Sequence, residues 1–296
     1  MNGNSILNKA RYSVDTDEWY TDYKTVEEEL AHYTLQFEGK TVLCNCDDPF
    51  ESAFSKYFLR NFRALKLRKL ICTSYKGSRI VENIKMHDNE CQDLTSQCAY
   101  VMVVENSLDI PDSFGSDEAI DEFLKTKGIV RRLKGNGDFR SDECVEYLKE
   151  ADIICTNPPF SKFTELFSLL IRYKKRYLII GNQNAITYKE IFPFLKNGQA
   201  WIGYRFGDMA FKVPDNTAPR KTRFWVDESG QKWRSLGNAM WLTNLDTERK
   251  HQKLELTARY NPVQHPKFDN YDAINVSRVS DIPLDYTGVM GVPLTY

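Results

Sequence analysis

Short apolar runs alternate with amphipathic stretches through the first two thirds of the chain. Lys40–Cys46, Lys69–Ser74, Ile153–Cys155 and Arg176–Ile180 are rich in Val, Leu, Ile and Cys and have the length of strands. Strands without an exposed polar face belong in a parallel sheet covered on both sides. Between them, Ala53, Phe54, Tyr57, Phe58 and Phe62 recur at helical spacing, as do Cys144, Tyr147 and Leu148, and Phe163, Leu166, Phe167 and Leu170. A helix led by Thr25, with Glu28 completing a capping box, precedes the first strand. Further helices are predicted over Asp117–Lys127 and Ile186–Lys196, with an added strand at Tyr100–Val104. Strand, helix and strand within segments of about 30 residues imply a doubly wound, mostly parallel α/β sheet with right-handed crossovers.

Beyond Gly198 the pattern changes. Trp201–Arg205, Thr222–Val226, Lys232–Arg234 and Ala239–Thr243 are short, aromatic and β-like, with a hairpin turn at Glu228–Gln231. Leu254–Tyr296 holds many prolines and tyrosines and few helical patterns. The expected organisation is a core over 1–198, elaborated at 75–135, and a β-rich region over 199–296 that completes the core sheet.

Of the 296 residues, 42% are hydrophobic and 27% charged, which describes a folded chain and excludes a disordered one. The sequence has no apolar run of membrane-spanning length and its polar start lacks a signal-peptide core, so a cytoplasmic location is expected. Seven cysteines without a CxxC pair, and four histidines, suggest neither a zinc site nor a disulfide frame. Cys44, Cys72 and Cys155 read as small buried hydrophobes. The net charge of −1 argues mildly against a nucleic-acid partner. Two stretches depart from that average. Arg205–Arg234 carries seven basic against four acidic residues, and Lys56–Lys69 carries six basic residues and no acid. Each suits phosphate or a solvated face equally well.

The chemistry concentrates in Asp152-Ile-Ile-Cys-Thr-Asn-Pro-Pro-Phe160. Pro158 and Pro159 cannot extend a strand ladder, and Pro158 holds Asn157 extended. The result is a rigid shelf at a strand's carboxyl end, where open α/β sheets place ligands. The Asn157 side-chain carbonyl and the Pro158 backbone carbonyl together suit the two hydrogens of an aromatic amino group. Held so, its nitrogen turns toward tetrahedral geometry and its lone pair toward an electrophilic methyl group. Phe160 would stack on a base swung out of its duplex. Such catalysis works by positioning and fixed dipoles, without a metal. The blander reading is an ordinary Pro-Pro turn whose Asn caps the next helix.

Asp47 and Asp48 end the first strand and suit ribose hydroxyls or an ammonium group, although Asp48 before Pro49 also suits a helix start. Asp138 and Phe139 suit an adenine, acid to amino group and ring to ring. Ligand-type residues after successive strands, with the prolyl shelf after the fourth, make the layout of an S-adenosylmethionine-dependent methyltransferase.

The sequence resembles the EcoRI-type adenine-specific DNA methyltransferase family of restriction–modification systems. The resemblance runs through DEWYTDY, VLCNCDDPFESAFSKYFLRNF, GDFRSDE, ADIICTNPPFSKF, YLIIGNQNAI, GNAMWLTNL, NYDAINV and DIPLDYTGVMGVPLTY, nearly the whole chain. It implies a Rossmann-like fold, S-adenosylmethionine as cofactor and a flipped adenine in double-stranded DNA as substrate, handled by a cytoplasmic monomer of bacterial, phage or plasmid origin. Asn157, Pro158, Pro159 and Phe160 take the catalytic role. Trp19, Tyr20, Thr21, Asp47, Asp48, Pro49, Phe50, Thr73, Asp138 and Phe139 form the cofactor set. Ser161, Lys162, Asn182, Arg205, Lys221 and Arg223 are the candidates for DNA contact, with target recognition beyond Gly198. Two departures stand out: no glycine-rich turn follows the first strand, and GVPLTY ends inside a strand-like run where the family continues. Other readings of the same shelf are an RNA or protein-amide methyltransferase, and a non-catalytic DNA-binding module.

Overall fold

The computed structural model describes residues 19–75, 99–127, 129–213, 217–252 and 254–293. The strands of its main sheet are β1 (Tyr20–Thr21), β2 (Thr41–Cys44), β3 (Lys69–Thr73), β4 (Tyr100–Glu105) and β5 (Val130–Arg132). They continue with β6 (Ile153–Thr156), β7 (Arg176–Asn182), β8 (Trp201–Lys212), β9 (Phe224–Val226) and β10 (Lys232–Thr243). Across the sheet the order is β1, β8, β10, β7, β6, β2, β3, β4, β5, with β9 paired to β10. The four central strands, β7, β6, β2 and β3, run parallel. Both flanks are antiparallel. The architecture is therefore mixed α/β, with a parallel centre.

The central strands are apolar in their middles because both of their faces are covered. Val42, Cys44, Leu70, Cys72, Ile153 and Cys155 enter one core, together with Leu30, Phe54, Phe58 and Ile120. Leu43, Ile71, Ile154, Tyr177 and Ile179 enter the other, with Leu148, Leu166, Phe167 and Leu170. Alternate side chains of a strand point to opposite faces, so each four-residue run feeds both cores. The first core takes helices α1 (Tyr23–Leu30), α2 (Ala53–Arg60) and α3 (Asp117–Thr126); the second takes α4 (Asp142–Glu150) and α5 (Phe163–Arg172). Ser52, Ser116 and Ser141 cap α2, α3 and α4, each hydroxyl accepting from a first-turn amide.

Several elements differ from the pattern reading. Asp22, not Thr25, caps α1, because the helix begins three residues earlier, at Tyr23, and the Asp22 carboxylate accepts from the Thr25 amide. The helix expected over Ile186–Lys196 divides into a 3-10 turn at Gln183–Thr187 and a short α6 (Phe192–Lys196), with Pro193 in the first turn of the latter. Three of the four short strands beyond Gly198 are parts of two 12-residue strands: β8 contains Trp201–Arg205, and β10 joins Lys232–Arg234 to Ala239–Thr243, while Thr222–Val226 shortens to the three-residue β9. β5 escaped the pattern because its three residues carry two arginines. Residues 76–98, part of the expected elaboration, lie outside the described residues.

The chain divides into two compact units between Thr247 and Glu248. The boundary drawn from the sequence at Gly198 falls inside the first, where β10 extends the sheet from β7. The second unit has little regular structure: α7 (Glu248–His251) and the two-residue parallel strands β11 (Ile274–Asn275) and β12 (Met290–Gly291). Its buried His265 accepts from the Asn261 amide at one ring nitrogen, while the other lies 2.9 Å from the Asp281 carbonyl.

One buried acid locks α1 to the antiparallel flank. Glu29 accepts from the Tyr33 hydroxyl at 2.8 Å and from the β8 amides of Tyr204 and Arg205 at 2.9 and 2.7 Å. Burial raises its pKa, against those three donors. Gly203 makes the approach possible, since a Cβ there would lie 2.2 Å from Glu29 Oε1 and 2.7 Å from Trp241 Cβ. Gly203→Ala is expected to cost about 1–3 kcal/mol, the range for forcing atoms into a packed site. Chemical unfolding followed by circular dichroism measures it, and an unchanged midpoint would show that Glu29 gives way freely.

Candidate functional site

The order of strands reverses between β2 and β6: from β2 the chain steps outward to β3, from β6 outward to β7. At such a switch point the loops leaving neighbouring strands part and open a crevice. Here the crevice is a cavity of about 340 Å³. Asn45–Asp48 enter it after β2, Ser74 and Tyr75 after β3, Asn157, Pro159, Ser161 and Lys162 after β6, and Gly137–Arg140 before α4. Trp19 and Tyr20 complete the wall. The volume lies within the range of small-molecule pockets. Gly137 lets its loop close in. It has φ +76°, and a Cβ there would stand 2.0 Å from the Ser74 carbonyl oxygen.

Asp47 is the buried centre of this edge. Its carboxylate accepts from the Ser52 hydroxyl and the Thr156 hydroxyl, each at 2.6 Å, and from the Asn157 amide. One acid thus ties the end of β2 to the cap of α2 and the end of β6. Burial away from water outweighs those donors and lifts its pKa to about 6. Asp48 acts locally. Its Oδ1 accepts from the Phe50 and Glu51 amides, folding the turn over Pro49, while Ser52 is the helix cap.

The Asn157 amide is half committed. Its Nδ2 donates to the Trp19 carbonyl at 2.6 Å, whereas its buried Oδ1 has no hydrogen-bond partner among the described residues. Both polar atoms of the Asn45 amide are likewise buried without a partner among the described residues. Unsatisfied buried polar atoms are rare and costly, and here they stand in the wall of a cavity. A ligand with both donors and acceptors fits that wall.

Of the expected catalytic residues, Asn157 and Pro159 line the cavity; Pro158 and Phe160 do not. The Phe160 ring packs edge-on against Trp19, with centroids 6.3 Å apart, and against Phe211 at 6.0 Å. Of the cofactor set, Trp19, Tyr20, Asp47, Asp48, Asp138 and Phe139 line it, while Thr21, Pro49, Phe50 and Thr73 stand behind. Thr21 and Thr73 each have a buried hydroxyl without a partner among the described residues. Asp138 is held by Arg140, which donates to both of its oxygens and also to Glu165; that pairing keeps the Asp138 pKa low. Asn45, Cys46, Ser74, Tyr75 and Arg140 also line the cavity, outside the set expected from sequence. Asn45 and Ser74 carry a readable signal: each is a polar residue one step beyond a buried parallel strand.

The DNA candidates scatter. Ser161 and Lys162 reach the cavity, and Lys162 pairs with Glu165 at 3.1 Å. The Asn182 side chain caps the next turn through the Asn184 amide. Arg205 pairs with Glu28 at 2.7 Å, and Arg223 lies 3.9 Å from Asp208, whereas Lys221 is exposed. The basic run Lys56–Lys69 is compensated locally. Lys56 and Arg60 share Asp117, Lys66 meets Glu38, Arg68 meets Asp152, Lys69 meets Glu105 and Glu150, and Arg63 binds two carbonyls.

Residues 6–296 match the family described as adenine-specific methyltransferase EcoRI. The chain is 43% identical to the type II methyltransferase M.EcoRI of Escherichia coli over 297 residues, covering 99% of this chain and 85% of that protein. It is 35% identical to the type II methyltransferase M.MgeORF184P of Mycoplasma genitalium, and 33% identical to the type II methyltransferase M.MpnI of Mycoplasma pneumoniae. Each of those matches covers 98% of this chain and 81% of the relative. No solved structure matches.

Asp47 sets a pH dependence whose sign follows from its raised pKa. The folded protein prefers the protonated acid, so stability is highest below the unfolded pKa near 4 and falls as pH rises to about 6. Relative to Asp47→Asn, the wild type is expected to lose about 3 kcal/mol over that interval, at ~1.4 kcal/mol per tenfold change in proton affinity. Urea unfolding of both proteins at several pH values measures the difference; a constant gap would place the Asp47 pKa outside the interval.

Proposed function

The chain belongs to the adenine-specific methyltransferase EcoRI family, and on that premise we propose that it methylates the exocyclic amino group of an adenine flipped out of duplex DNA. The observation that carries this reading is the Asn157 amide, anchored at its nitrogen and unsatisfied at its oxygen in the wall of the cavity. The sheet, in this reading, is a Rossmann-like methyltransferase core. S-adenosylmethionine, when bound, supplies a methyl group made electrophilic by its sulfonium.

The chain's own residues do the rest by placement. Asn157 Oδ1 accepts one hydrogen of the amino group and the Pro158 carbonyl accepts the other, which draws the lone pair out of the ring. The Trp19 carbonyl prevents the Asn157 amide from presenting its NH2 instead, because that NH2 is already donated. Asp47 keeps Asn157 in position from below through its backbone amide. Such preorganised dipoles need no rearrangement during the reaction. Asn45, Asp47 and Asp48 hold the polar parts of the methyl donor, Asp138 and Phe139 its adenine, and Tyr20 covers it; Trp19, Thr21, Pro49, Phe50 and Thr73 support that pocket. Pro159 keeps the shelf stiff. Phe160, braced by Trp19 and Phe211, forms the aromatic side of the target pocket. Ser161 and Lys162 meet DNA at its rim, and Asn182, Arg205, Lys221 and Arg223, with the region beyond Gly198, contact the duplex.

Asn157→Ala removes the acceptor and leaves the strand and the Asp47 contact to the backbone. Methyl transfer from labelled S-adenosylmethionine is expected to fall at least about 10²-fold, the scale for losing one preorganised polar group, with cofactor affinity within a few-fold of the wild type. The assay runs against duplex DNA, RNA and protein. Transfer at the normal rate by the variant would remove Asn157 from the mechanism, and transfer by the wild type only to RNA or protein would remove DNA as the substrate.

A further inference from the structure

The hairpin of β9 and β10 carries chemistry that the methyl-transfer site leaves unused. Trp225 and Trp233 face each other across it, their rings 8° from parallel with centroids 6.3 Å apart. Trp225 is the outer ring, 41% exposed, and Val226 beside it is 51% exposed. The pair is held firmly. Asp227 accepts from the Trp233 indole at 2.7 Å and from the Ser229 and Gln231 amides, which fixes both the turn and the plane of the inner ring.

The register places this pair in line with the cavity. Tyr20 is paired with Lys212, Lys212 with Trp233, and Trp233 with Trp225, across β1, β8, β10 and β9. Residues directly opposite on neighbouring strands project from the same face. One row therefore runs from Tyr20 in the cavity wall to Trp225 at the sheet's exposed side. Three strand spacings of ~4.8 Å make it about 14 Å long, a span shorter than the width of a duplex. Around the outer ring the charge is positive: residues 217–234 hold five basic and two acidic residues in a chain of net charge −1, and Arg220, Lys221 and Arg223 are exposed, Arg223 with Asp208 3.9 Å away.

We propose that this hairpin is a stacking contact for duplex DNA: Trp225, backed by Trp233, packs on the base face uncovered where the adenine leaves the stack, while Arg220, Lys221 and Arg223 meet the flanking phosphates. The proposal rests on the reading of the chain as a base-flipping DNA methyltransferase and adds to it the element that occupies the duplex side. A large, flat ring with a fixed plane loses little ordering entropy when it stacks, and aromatic stacking serves any base sequence. A tryptophan pair across two strands also steadies a hairpin. That role belongs to the protein alone and predicts no change with DNA.

The test is fluorescence anisotropy with a labelled duplex that the wild type methylates, or one of random sequence where it methylates none, at several salt concentrations. Trp225→Leu is expected to weaken binding about 10-fold or more, with the salt dependence of binding unchanged because no charge is lost. Lys221→Ala is expected to weaken binding and to flatten that dependence by about one phosphate contact. Trp225→Phe, which keeps a ring, is expected to restore most of the affinity, and the thermal midpoints of both tryptophan variants to stay near the wild type. The proposal is overturned by Trp225→Leu binding within about twofold of the wild type, or by Trp225→Phe failing to restore binding. It is equally overturned by tighter binding of single-stranded RNA than of the duplex, or by a DNA-free dimer that Trp225→Leu disperses. A wild type that binds duplex but methylates none would refute the activity, and the binding results would still judge the hairpin.

Discussion

A carboxylate without a counter-charge, sunk at the point where the sheet changes direction, organises this protein. Asp47 can be tolerated there only because donors converge on it, and those donors are the Ser52 cap of α2, the Thr156 hydroxyl at the end of β6 and the Asn157 amide. Two parallel strands that would otherwise diverge past their last pair, Leu43 and Ile154, are thereby held together beyond it. The stiffness of the prolyl shelf is thus only half a property of its prolines. The other half comes from about 110 residues earlier in the chain, through an acid kept buried at an unfavourable pKa.

The antiparallel flank repeats the device for a different purpose. Glu29, also buried, draws its donors from the turn that follows α1 and from β8. With β1 paired to β8, this fixes the path of the segment that carries Trp19 and Tyr20 over the cavity. Trp19 then acts twice: its carbonyl takes the Asn157 NH2, and its ring meets Phe160, Phe211 and the Arg234 guanidinium, the last at 4.7 Å. Polar orientation and aromatic packing at the shelf therefore depend on a strand of two residues whose place is set by a buried acid elsewhere.

Charge behaves differently from what the linear count suggests. In the densest basic run, Lys56–Lys69, five of the six basic residues pair with acids from α3, α4, β4 and the loops before β2 and β6, and Arg63 is held by two backbone carbonyls, so little of it is offered to a phosphate. The segment between Thr217 and Arg234 holds fewer basic residues, yet Arg220 and Lys221 are exposed before β9, while Asp227 in the hairpin turn is occupied by its own backbone and a tryptophan. A surface becomes available to a polyanion through the arrangement of its acids as much as through the number of its bases.

The residues alone determined the alternation of strand and helix, because short runs apolar on both faces suit strands covered on both sides, and they determined the shelf, because two adjacent prolines end a ladder whatever surrounds them. They also carried the family likeness, spread over nearly the whole chain. Tertiary structure decided what those local patterns leave open. The antiparallel flank was legible only as fragments, since half-buried strands such as β8 and β10 gain their continuity from hydrogen bonds to neighbours far away in sequence. The membership of the cavity wall was decided in the same way: Asn45 and Ser74 belong to it and Phe160 turns aside, because which side chain reaches a crevice depends on how separate strands end beside one another, and no single strand encodes that meeting.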